Sequence, residues 1–264
     1  MTGSPDRDRT LVESTLGFYR QTTDWLAHHH ANLGRDSTHD LDSDDRWNAV
    51  WKLSGQALAH TYALLELLQA GYTGQTWALL RSIHEVDRLL AAVCNLDEER
   101  IQRRWLADQK VTQAEARAAE QAEVEKFAEA MRKAGMEPVT DDVAQFSQQI
   151  YAGMSKAAHH RRSVIDEAVD SERRTMIYGP DPRWDRRVAF TVYAGALVHE
   201  VTLLVGGAMA QLYGPGFYAE HLAPMLRQLE TVLEMVDFID VASRMGFAAG
   251  GDPSDLDEDE PPAS

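Results

Sequence analysis

Residues 188–212 read VAFTVYAGALVHEVTLLVGGAMAQL, and the reading of this stretch decides the fold. A membrane-spanning helix needs about 20 apolar residues, so the run is long enough to cross a bilayer. His199, Glu200 and Thr202 interrupt it, however, and no second run of the kind occurs in the chain. Gly195 and Gly206 sit on the His199 side, where small residues let a neighbouring helix approach closely. The expectation is a buried central helix with others packed around it, and no association with a membrane.

Working outward, residues 178–182 (YGPDP) form a rigid turn before this helix, and 214–216 (GPG) break the chain after it. A last helix is predicted over about 217–246. Upstream, apolar residues recur at helical spacing over 9–32, 43–70 and 73–95. Ser43 caps the second of these and Gly71 stops it. A fourth helix is predicted to start at Asp97 and run unbroken to Lys133. Beyond Leu106 it is rich in Ala, Glu, Lys and Gln, favoured locally but with little to bury, so 107–134 is expected to be a charged helical arm. Another helix is predicted over about 141–170, either continuous or broken near 160. The fold class is therefore all-α: a single bundle of about seven helices over 10–249, with a disordered N-terminus at 1–9 and a disordered acidic tail at 250–264.

The formal charge is −16, and the six acids of 252–264 leave about −10 for the rest. Such a field repels phosphates and argues against nonspecific nucleic-acid binding. No DNA-specific motif is present. The single cysteine, Cys94, allows no intrachain disulfide and fits a reducing, cytoplasmic setting.

Three constellations could carry chemistry. The first is on the helix at 73–95, where Arg81, Glu85 and Arg88 lie within about 60° of one another, with His84 beside them. They are either a solvated face with one i,i+4 ion pair or a partly covered polar site. The second is Tyr151, Ser155 and His159, on one face at i, i+4, i+8, with His160 adjacent. No Gly-x-Ser-x-Gly elbow accompanies Ser155, so a hydrolase nucleophile is not indicated. The third is His199–Glu200 inside the central helix, read either as a core histidine with a buried partner or as a functional pair. Dimetal bundles use Glu-x-x-His pairs, none of which occurs here, and neither a metal nor a cofactor is expected.

ALLRSIHEVDRLL at 78–90, IYAGMSKAAHH at 150–160 and MIYGPD at 176–181 together resemble a family of bacterial helical proteins marked by Arg-x-x-x-Glu and Ser-x-x-x-His helices. That family is similar to the HEPN-type domains of toxin–antitoxin and phage-defence systems. The resemblance covers about 45–215 and matches Arg81, Glu85, Ser155 and His159, which it implies as catalytic candidates. His84, Arg88, Tyr151, His160, His199 and Glu200 are the accompanying ligand-binding candidates. HEPN ribonucleases carry Arg, four to six residues, then His, and no arginine here has a histidine at that spacing. Three functions follow as expectations. The leading one is a helical binding or regulatory protein linked to stress or defence, a homo-oligomer with RNA or a protein as partner. The second is a HEPN-like ribonuclease or other hydrolase with a polar groove at Arg81, Glu85, Ser155 and His159. The third is a metal-dependent bundle enzyme. The two motif helices, 73–95 and 141–160, are expected to pack together.

Overall fold

The 188–212 stretch lies inside one helix, Trp184–Tyr213, and the bundle is built around it. The computed structural model describes residues 5–35, 44–94, 99–112, 114–116, 118, 169–170, 175–176 and 179–234. In chain order the helices are α1 (Pro5–Leu33), α2 (Asp45–Gln69), α3 (Thr73–Cys94), α4 (Glu99–Leu106), α5 (Trp184–Tyr213), α6 (Pro215–Phe217) and α7 (Ala223–Glu234). A five-residue π-helical turn, Tyr218–Leu222, joins the last two. Among the described residues the extended pairing is a two-residue antiparallel ladder, β1 (Val169–Asp170) against β2 (Thr175–Met176). The fold is all-α, and the apolar core runs through α1, α2, α3 and α5.

Helix α5 packs against α1, α2, α3 and α7, and Phe190, Ala194, Leu197, Val198, Val201 and Val205 are buried along it. It is the one described helix long and apolar enough to cross a membrane, and 61% of that apolar window is buried within the bundle. The expected close approach is present. A Cβ added at Gly195 would fall 2.1 Å from the Tyr19 hydroxyl of α1, so α1 and α5 meet with backbone where a side chain would stand.

Helix ends follow capping chemistry. Asp44, one residue after the expected Ser43, accepts hydrogen bonds from the backbone N–H groups of Arg46 (3.0 Å) and Trp47 (3.1 Å) to start α2. Gly71 ends α2 with φ 87°; its N–H bonds Leu68 O (2.9 Å), and the Tyr72 N–H bonds Leu67 O (2.8 Å). This is the double bond of a Schellman stop, which needs a left-handed residue and favours glycine.

Four expectations are corrected. Helix α1 starts at Pro5, so 5–9 are helical rather than disordered; proline suits a first turn, whose N–H has no partner anyway. The unbroken helix from Asp97 to Lys133 is interrupted. Asp108 takes φ 55°, its N–H bonds Trp105 O (3.1 Å) and the Gln109 N–H bonds Arg104 O (2.8 Å), so α4 stops after Leu106. The single last helix from 217 is replaced by α6, the π-helical turn and α7. There Phe217 stacks on Trp25 of α1 (5.5 Å, 25°) and on Tyr213 (4.9 Å, 26°), and the wider turn lets the chain follow that cluster. Residues 169–170, placed at the end of a predicted helix, lie instead in β1. The arm beyond 118, the rest of the helix at 141–170 and the tail from 250 lie outside the described residues.

Candidate functional site

The polar residues of α3 do not sit on a solvated face. Leu80, Ile83 and Leu90 are fully buried toward the core, Asp87 (0% exposed) is buried among them, and His84 (4%) and Arg88 (3%) are buried on the flank beside them. Helix α3 is therefore covered nearly all round. Burying three ionisable side chains on one helix is costly unless each meets a charged or hydrogen-bonding group. Every one of these residues, together with Arg81, Glu85 and His199, is engaged in polar or electrostatic contact.

Helix α5 supplies part of that contact. His84 Nδ1 lies 3.6 Å from Glu200 Oε2, within ion-pair range but longer than a direct hydrogen bond. Tyr193, seven residues before Glu200 and so on the same side of α5, is buried. Its hydroxyl is held far above the usual tyrosine range by burial first, then by the Glu200 carboxylate, against an opposing pull from Arg88. Trp77 closes the seam against Phe190, ring edge to face at 4.9 Å.

At the rim, Arg81 Nε donates to Glu85 Oε1 at 2.7 Å, and both side chains are about a quarter exposed. The arrangement is a floor of buried ionisable side chains, Asp87, Arg88 and His84, beside the partly exposed Arg81, Glu85, His199 and Glu200. Chemically, it can hold a polar group at the edge with a bidentate-capable guanidinium and two carboxylates.

Of the sequence candidates, the structure brings Arg81 together with Glu85, and His84 with Glu200 across two helices. Arg88 belongs to the buried floor, and His199 stands half-buried one residue from Glu200. Tyr151, Ser155, His159 and His160 lie outside the described residues, so the meeting of the two motif helices rests on sequence alone. Asp87 and Tyr193 were missed. The available signal was spacing: Asp87 is three residues from His84, and Tyr193 is two turns from Glu200. Among the described residues no group of three or more His, Cys, Asp or Glu side chains is arranged to hold a metal ion.

A second polar knot ties the start of α5 to the start of α3. Asp181 is buried, and its carboxylate accepts from Thr73 Oγ1 (2.8 Å), from the Arg183 N–H (3.0 Å) and from Arg183 Nε (2.8 Å) and Nη2 (2.9 Å). Arg186 Nε stands 3.6 Å away. The Asp181 N–H donates to Gly71 O (2.8 Å), so the loop into α5 docks on the α2–α3 turn. Burial by itself would raise the Asp181 pKa, but the bonds from Arg183 and Thr73 outweigh it and hold the carboxyl below its usual range.

No family model, curated protein or solved structure matches the chain.

Proposed function

We propose that this chain is a helical binding or regulatory protein that uses the α3–α5 polar seam as a recognition surface, rather than an enzyme. The observation that carries this reading is the burial of His84 at 4% exposure beneath a rim of paired charges. A general acid or base must reach the proton it moves. Here the histidine is buried against Glu200, and the groups that reach solvent are the Arg81–Glu85 pair and Glu200 rather than the imidazole. A charge-matched edge of this kind suits a partner carrying its own complementary pair.

The resemblance to HEPN-type proteins supports a place in stress response or phage defence, as a cytoplasmic homodimer. It also supplies the second reading, a ribonuclease, which the His84–Glu200 pair favours in one respect: a carboxylate can fix a histidine tautomer for proton transfer. One experiment separates the two. The full chain is incubated with labelled single-stranded and hairpin RNA in the presence and absence of magnesium. Intact RNA with wild-type protein is the expected result. Cleavage that disappears in His84→Gln and Arg81→Ala, with thermal unfolding unchanged, replaces the binding reading with the ribonuclease one. Sedimentation equilibrium tests the dimer directly.

A further inference from the structure

At the end of the bundle where α1 begins, α2 turns into α3 and α5 starts, four arginines gather: Arg9, Arg183, Arg186 and Arg187. Three have carboxylate partners. Arg9 Nε bonds Glu13 (2.9 Å), while Arg183 (2.8 Å) and Arg186 (3.6 Å) share Asp181. Arg187 is different. Its guanidinium lies over the Trp184 ring at 4.0 Å and against the Gly71 turn, where an added Cβ would stand 3.1 Å from Cζ. Its Nε is buried, and the side chain has no hydrogen bond or ion pair among the described residues. Its pKa is lowered by burial first; Asp181 and Glu13 draw it up, and Arg9 pushes it down. Both of those carboxylates are already committed to other arginines, and the remaining acid on this turn, Asp185, is exposed. Among the described residues Arg187 is thus the guanidinium of this group that no carboxylate bonds.

Arg187 is partly exposed over the indole with Nε buried, so its two terminal Nη groups form the edge that fits two oxygens of one phosphate. The Asp181 knot fixes the backbone on either side, so the fork is pre-positioned. We propose that this end of the bundle binds the phosphate group of a small phosphorylated molecule, with Arg187 as the fork and Arg183 and Arg9 flanking it. The site is separate from the α3–α5 seam: Glu200 lies 13 residues along α5 from Arg187, about 20 Å at helical rise.

The test is calorimetric titration of the full chain with inorganic pyrophosphate, against sodium chloride of equal ionic strength. Saturable pyrophosphate binding is expected, weakened about tenfold or more in Arg187→Gln and less in Arg187→Lys, which keeps the charge but loses the fork. Arg100→Gln, remote from the site, should bind like wild type. Thermal unfolding without ligand shows which variants are folded. If Arg187→Gln fails to fold, the Lys variant decides, together with quenching of tryptophan fluorescence that is absent in Trp184→Phe. Heats no larger than those of chloride overturn the proposal, as does wild-type affinity in both Arg187 variants. Binding of a 5′-phosphorylated oligonucleotide without binding of pyrophosphate also overturns it.

Discussion

A methyl group added at Gly195 would lie 2.1 Å from the Tyr19 hydroxyl and 2.6 Å from its Cζ, both inside any tolerable contact. Tyr19 is buried, and burial pushes its hydroxyl pKa up to about 12, so the ring has no easy exit into water. Gly195→Ala should therefore cost about 3 kcal/mol in urea unfolding. Paired with Tyr19→Leu, the double variant should be more stable than the sum of the two losses predicts, by about 1 kcal/mol or more. The polar residues divide differently. Arg81–Glu85 was legible from its i,i+4 spacing, but both partners are about a quarter exposed. Arg81→Ala should then cost under about 1 kcal/mol, far less than a buried pair would. Asp181→Ala should cost about 3 kcal/mol, because it strips Thr73, Arg183 and the buried Arg186 of one shared acceptor. That knot could not be read from sequence. Thr73 and Asp181 are 108 residues apart, and nothing local to the YGPDP turn announces a partner.

At the scale of elements, α2, α3 and α5 were readable to within one or two residues because propensity, caps and apolar period agree there. The error at α4 shows where they part. The stretch after Leu106 is strongly helix-favouring, so composition alone carries the helix onward. The backbone stops at Asp108 and restarts at Thr112, whose N–H donates to Glu115 Oε2 (3.0 Å) while the Glu115 N–H donates to Thr112 Oγ1 (3.2 Å). That reciprocal pair is a capping box, and TQAE at 112–115 was its visible signature. Arg104 locks the break from the other side, bonding both Glu115 and the Lys110 carbonyl, and its guanidinium holds the Glu115 carboxyl down at about 2. Two substitutions with opposite signs follow. Asp108→Gly relieves a left-handed residue and should raise stability by about 1 kcal/mol. Thr112→Ala removes a cap and should lower it by about 1 kcal/mol. A straight helix through 107–111 would give the reverse for Asp108→Gly, since glycine in a helix interior destabilises.

Across the whole molecule, the central apolar run gave away the bundle, whereas convergence of His84 with Glu200, or of Arg187 with the Gly71 turn, needed the crossing of α3 and α5. The same assembly makes stability depend on pH. His29 packs among Trp25, Tyr213, Phe217 and His221 at the junction of α1, α5 and the π-helical turn. Burial, then the charges of His28 and His221, lower its pKa from 6.5. His30 stacks on Trp51 and bonds its carbonyl (2.8 Å), and burial lowers its pKa from 6.5 despite that bond. Both histidines bind protons less readily folded than unfolded. Their contribution is complete above about pH 6.5 and is lost as pH falls through the lower folded values. Asp181, also lowered, adds a second loss that begins only below its ordinary 3.8. Protonating other carboxylates relieves repulsion in a chain of charge −16, so the raw curve mixes opposing trends. The difference between wild type and variant isolates each group. Urea midpoints should show wild type losing ground to His29→Phe/His30→Gln between about pH 6.5 and 5. Against Asp181→Asn, wild type should keep a constant advantage over that range and lose it only below about pH 4. A histidine double variant that tracks wild type down to pH 5 would mean that the aromatic junction carries no proton-linked stability.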